Sequence, residues 1–183
     1  MSKPKKPKQA KLVIGLFMNN KGLLEDVAYH LAQSFGPPDI ISPWFPFDHT
    51  EYYTKEMGRP LFRRMISFSK LIEQDMIPQV KLFTNQLEEA FSDEGKRRVN
   101  IDPGYLVAER FVLATGKNYT HRIYLKDGIY ADLTLIYHKG SFRPLQWTYP
   151  DYAQENVTRF LLTVRTRYLY QLKNIRTIGH NAS

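Results

Sequence analysis

The chain contains no cysteine, which removes disulfides, thiolate nucleophiles, zinc ribbons and iron–sulfur ligation together. Any metal site would need His, Asp or Glu. The five histidines form no His-Glu-x-x-His pattern, and His49-Thr50-Glu51 lacks the cysteines of a deaminase zinc site. No metal and no cofactor is therefore assigned. Long apolar runs are also missing: Leu12 to Met18 follows lysines but is too short to span a bilayer, and Asn19-Asn20-Lys21 stand where a signal-peptide cleavage site would be. A first buried strand is the expectation there, with no membrane partner and a cytoplasmic location. A phosphate-binding loop is absent as well, since Gly116-Lys117 is followed by Asn118 and lacks the upstream glycine.

What is present describes a folded protein. The 183 residues are 43% hydrophobic and 14% aromatic, enough for one sizeable core and too apolar for disorder. The formal charge of +8 lies at the ends: residues 1–11 and 157–183 hold ten of the 26 basic residues and no acid, leaving 16 basic against 18 acidic residues between them. The body is not basic. A lysine tail interrupted by Pro4 and Pro7 reads as a solubilising arm that would hold nucleic acid only weakly and in a salt-dependent way.

Periodicity places a strand at Leu12 to Phe17 and a helix over Leu23 to Phe35, with Asn20 before it and Gly36 after it. Extended runs follow at Ile40 to Phe47 and Arg63 to Ile72, then a helix whose apolar face is Val80, Phe83, Leu87, Ala90 and Phe91. Arg98 to Ile101 reads as a short strand ended by an Asp102-Pro103-Gly104 turn. A short helix near Leu106 to Ala114, a hairpin from His121 to His138 and a final helix from Asp151 to about Leu172 complete the reading. The expected fold is α+β: a two-layer sandwich with a ferredoxin-like β-α-β-β-α-β core, extended by the hairpin and covered by the long C-terminal helix. Residues 1–11 are expected as a disordered tail, 12–173 as one domain and 174–183 as a frayed end.

Four segments carry candidate chemistry. Asp48 to Glu56 packs carboxylates and tyrosines into nine residues, so Asp48, Glu51 and Tyr52 are either a polar loop or ligand contacts. Lys96-Arg97-Arg98 precedes Asn100-Ile101-Asp102; alternation sends Arg97 and Arg98 to opposite faces, so only part of the run can grip one anion. Trp147 to Tyr152 is an aromatic plug or a stacking platform, with Asp151 placed to cap the final helix. The hairpin has two registers. A three-residue Lys126-Asp127-Gly128 loop separates apolar from polar faces, setting Leu125 opposite Ile129, Ile123 opposite Ala131, Tyr124 opposite Tyr130 and Arg122 opposite Asp132. Ile123, Leu125, Ile129, Leu133 and Leu135 would then be buried together. Arg122, Tyr124, Tyr130, Asp132, Thr134 and His138 would form either a solvated surface or one wall of a pocket.

These segments also carry a resemblance from Leu12 to about Tyr168. Pro46-Phe47-Asp48, Thr50 to Tyr53, Glu56-Met57-Gly58, Lys96 to Tyr105, His121 to Leu125 and Trp147 to Tyr152 together resemble the bacterial "domain of unknown function 4416" family. That resemblance implies kinship and carries no activity. From the residues, the leading expectation is a polar small-ligand pocket for an anionic or nucleotide-like molecule, gathering Asp48, Glu51, Tyr52, Arg98, Asn100, Asp102, Tyr105, Arg122 and Asp132. The alternatives are a nucleic-acid-associated protein using both basic ends and an interaction module without chemistry.

Overall fold

The computed structural model describes residues 1–47 and 53–180, and of 176–180 the helical backbone. β1 (Ala10–Met18) is buried at every position. It runs mid-sheet, antiparallel to β4 (Phe62–Ile72) on one side and to β5 (Val99–Leu106) on the other, so a continuous apolar run is what the position demands. α1 (Leu23–Phe35) begins where the Asn20 side chain accepts the Gly22 N–H at 2.9 Å. It ends at Gly36, whose φ of 85° favours glycine. β2 (Pro38–Ile41) and β3 (Phe45–Pro46) pair with β4, α2 (Thr54–Met57) precedes it, and α3 (Ile77–Ala90) carries the chain from β4 to β5. β6 (Arg110–Thr115), β7 (Arg122–Lys126), β8 (Ile129–His138) and β9 (Ser141–Pro144) complete a nine-stranded sheet. Its order is β2-β4-β1-β5-β6-β8-β7, with β3 beside β4 and β9 beside β8. α4 (Glu155–His180) follows.

Side-chain alternation along β1 divides the core. Leu12, Ile14, Leu16 and Met18 pack with Leu23, Val27 and Leu31 of α1 and with Ile77, Val80 and Leu87 of α3. Val13, Met65 of β4 and Phe111 of β6 instead pack under Val157, Leu161, Val164 and Tyr168 of α4. Helices cover both faces, so the architecture has three layers and not the two expected. Each large side chain so buried contributes about 1.5–3 kcal/mol.

Three local expectations are corrected. Residues 106–114 are not helical: they are the end of β5, a turn closed by the Val107 N–H to Arg110 carbonyl bond of 3.0 Å, and β6. The apolar run Phe111-Val112-Leu113 is buried between two helical layers, and that environment selects a strand. Asp102-Pro103-Gly104 lies inside β5 and makes no turn. Gly104 is needed there for close approach, since a Cβ would stand 2.6 Å from the Val112 carbonyl oxygen. Asp151 does not cap α4, which starts at Glu155; it pairs with Arg63 instead.

The hairpin keeps the expected pairing of Arg122 with Asp132, Ile123 with Ala131 and Tyr124 with Tyr130, but it closes differently. Lys126 lies opposite Ile129 after a bulge between Tyr124 and Lys126, and Asp127 and Gly128 both have positive φ, 53° and 77°. The loop is thus the two-residue Asp-Gly turn that suits strand twist, and the bulge absorbs the one-residue slip. Burial differs too. Ile129 and Leu135 are buried, while Ile123 is 71% and Leu125 38% exposed, because β7 is the sheet edge and the core of α1 and α3 reaches Ile129 but not its neighbours on β7.

Candidate functional site

β5 and β6 pair only from Gly104 to Leu106. Toward Val99 the two strands part, and side chains of α3 take the backbone groups that a neighbouring strand would have used. The Ile101 N–H donates to Glu88 Oε1 at 2.6 Å, and Lys81 Nζ donates to the Ile101 carbonyl at 2.9 Å. The gap is a cleft of about 840 Å³. Lys81, Asn85 and Glu88 of α3 and Asn100 and Asp102 of β5 line one side. Thr115 of β6 with Gly116 and Lys117 after it, Arg122 and Asp132 of the hairpin, and Tyr149 to Tyr152 line the other. Its apolar end is closed by Phe17 stacked on Phe47 at 4.3 Å, with Tyr53 edge-on to Phe17 at 4.6 Å.

Polar groups are organised around two arginines. Arg97 grips Glu56 with two bonds, Nε to Oε1 at 2.7 Å and Nη2 to Oε2 at 2.8 Å, and donates from Nη1 to Asn100 Oδ1 at 2.8 Å. Asn100 in turn donates to Asp102 Oδ2 at 2.9 Å. Such bidentate contacts hold both charges in place: the Arg97 bond holds the Glu56 carboxyl below its ordinary range, and the Glu56 bond raises Arg97. Burial pushes the Glu88 carboxyl up, with Lys81 and the Ile101 N–H acting against the shift. On the opposite wall Arg122 donates to Asp132 at 2.9 Å, to the Tyr149 hydroxyl at 2.8 Å and to the Lys117 carbonyl at 2.9 Å. His121 Nε2 also contacts Asp132 at 3.2 Å, and its ring stacks on Trp147 at 4.9 Å. Of the polar hairpin face, Arg122 and Asp132 line the cleft, whereas Tyr124, Tyr130, Thr134 and His138 do not, and Tyr124 is exposed.

Beneath the cleft, Arg63 is 2% exposed, ion-paired with Asp151 and stacked on the Tyr152 ring at 4.1 Å. The Tyr152 hydroxyl sits over Gly15, where a Cβ would stand 2.8 Å away, and it has no hydrogen-bond partner of good geometry among the described residues. Burial raises both the Tyr53 and the Tyr152 phenol.

Of the residues singled out in the sequence, Asn100, Asp102, Arg122 and Asp132 meet in this cleft. Arg98 and Tyr105 do not line it; Tyr105 packs between the two cores, and Arg97, the alternate partner in the basic run, is the one turned inward. Asp48, Glu51 and Tyr52 lie outside the described residues. Sequence reasoning passed over Lys81, Glu88 and Arg63, and gave Asp151 a capping role in place of its pairing with Arg63. A signal existed for the first two: seven residues apart, they lie on one side of α3 next to the buried Val80 and Leu87. Among the described residues no cluster of three or more His, Asp or Glu side chains is arranged to hold a metal ion, and no helix is long and apolar enough to cross a membrane.

No curated protein and no solved structure matches the chain. A family model described as "Domain of unknown function (DUF4416)" matches residues 8–168. That span contains both strands that part to form the cleft, both arginine networks and most of α4, and on its strength the chain belongs to the DUF4416 family.

Proposed function

We propose that the cleft between β5 and β6 binds a small polar ligand. The carrying observation is that β5 gives up strand pairing along one edge, and five separate parts of the chain place charged or amide side chains around the resulting gap. A stretch of unpaired sheet edge is costly unless something satisfies it. Here Lys81 and Glu88 do so while leaving an opening of ligand size. The same reading takes β1, α1, β2, β4, α3 and β5 as a ferredoxin-like core, supported by the order β2-β4-β1-β5 with α1 and α3 as crossovers. The strands β6 to β9 are an addition, and the cleft lies on the seam.

The test uses thermal shift of the full chain against a panel of small metabolites, beside a Gly116→Phe variant. Gly116 lines the cleft, has no atom within 4 Å of a built Cβ and needs no positive φ, so a ring there fills the opening without disturbing the polar network. A ligand that raises the melting temperature of the native chain and not of the variant supports the reading. A shift that survives in the variant, or a panel without effect, contradicts it.

A further inference from the structure

Resting on that reading, we infer that the ligand is a neutral polyhydroxylated molecule, a sugar or sugar-like polyol, and not an anion. Among the described residues the lining carries as many acids as bases. Glu88, Asp102, Asp132 and Asp151 are balanced by Lys81, Arg97, Lys117 and Arg122. Balance alone would also admit a zwitterion or an anion held at one end, but the arrangement opposes both. Arg97 is engaged bidentately by Glu56 and lies 3.4 Å from Glu88, and Arg122 is held by Asp132. Lys81 lies 4.0 Å from Glu88 and 3.9 Å from Asp102. Each of these three cations therefore has an acid beside it, and none of the three forms a separate positive pole for a phosphate or carboxylate. An anion would have to break a charge-assisted pair in a partly desolvated site.

A hydroxyl group matches this pattern. It donates to a carboxylate and accepts from an ammonium or guanidinium in the same contact, so closely interleaved acids and bases present successive sites to successive hydroxyls. Asn85 and Asn100, which both donate and accept, add to the set. The half-exposed ring of Tyr149 at the opening, fixed through its hydroxyl by Arg122, offers an apolar face for the C–H side of a sugar ring. The anion expected from the Lys96 to Arg98 run loses its basis because Arg97, the member that enters the cleft, arrives already paired.

Calorimetric titration of the full chain with D-glucose, D-ribose, myo-inositol and adenosine, against inorganic phosphate and ATP, tests this at two ionic strengths. The expectation is binding of at least one neutral polyol with an affinity unchanged by salt, because no net charge is neutralised. Asp102→Asn, which keeps shape but removes an acceptor charge, should weaken that binding at least tenfold while leaving the melting temperature of the unliganded protein within a few degrees. Binding of phosphate or ATP alone, falling with salt and blocked by Gly116→Phe, would overturn the polyol assignment and leave the cleft standing as a binding site. Absence of binding by every probe would overturn the assignment too. Neutral polyol binding that Asp102→Asn leaves intact would place the polyol elsewhere and equally overturn it.

Discussion

At the scale of single residues, Gly15 shows how a small side chain supports the buried charge beneath the cleft. A Cβ at this position would meet the Tyr152 hydroxyl at 2.8 Å and Arg63 Nη2 at 3.3 Å, so Gly15→Ala should destabilise the fold by about 1–3 kcal/mol through overpacking. Tyr152→Phe removes the nearer of those atoms, a buried hydroxyl with no hydrogen-bond partner of good geometry among the described residues, so alone it should be close to neutral. The double variant should recover much of the Gly15→Ala loss, and additive losses in chemical denaturation would contradict the geometry. The same hydroxyl gives a pH signature. Burial raises the Tyr152 phenol above its ordinary value of 10.0, so the unfolded chain releases this proton before the folded one. Stability is then full below about pH 10 and falls as pH climbs from there toward the folded-state value. Tyr152→Phe should flatten that alkaline limb in melting curves; an unchanged limb would assign the loss to other groups.

At the scale of elements, the hairpin separates what pattern can and cannot reveal. Its pairing was legible because Arg122 with Asp132 and Tyr124 with Tyr130 sort one face from the other under a period of two. Its turn was not, because a bulge at one residue and a shorter loop produce the same register further along. Burial of Ile123 and Leu125 was misjudged for a different reason: alternation names the face, but tertiary placement decides whether anything covers it. With Ile123 exposed, Ile123→Thr should change stability by less than about 0.5 kcal/mol, against the 1.5–3 kcal/mol expected had it been buried; a loss of the larger size would mean that the β7 edge is covered in solution. The β5–β6 segment shows the same limit. Phe111-Val112-Leu113 fits either a buried helix or a buried strand, and only the sheet on both sides decides. In the cleft, Asn100, Asp102, Arg122 and Asp132 could be picked out by residue type. For Lys81 and Glu88 the seven-residue spacing beside buried apolar positions of α3 marks the pair, but not its role, which depends on the parting of β5 from β6 at long range.

At the scale of the whole molecule, the positive charge at the ends is partly structural. Lys11, counted with the basic tail by sequence, is fully buried, ion-paired with Asp39 and bonded to Gln171 of α4 at 2.7 Å. It ties the first strand to β2 and to the last helix. Lys11→Ala would leave Asp39 with Arg167 as its nearest remaining cation, 3.7 Å away and half-exposed, and should cost about 3–5 kcal/mol in chemical denaturation; a negligible change would mean that the pair is not formed. The two ends of the chain adjoin, with the Tyr168 hydroxyl donating to the Gln9 carbonyl at 2.7 Å and Gln9, Lys70 and Arg167 lining one groove, and the centre of the sheet is built around a separate opening. This opening is the proposed ligand site. Amide chemical-shift mapping of the ¹⁵N-labelled full chain during titration with a small-metabolite mixture tests it most directly. The account predicts shifts concentrated at Asn100 to Asp102, Thr115 to Lys117, Arg122, Asp132 and Tyr149 to Tyr152. Shifts confined to the groove between Ser69 and Gln171, to the surface around Lys21 and Trp44, or to the basic ends would contradict it.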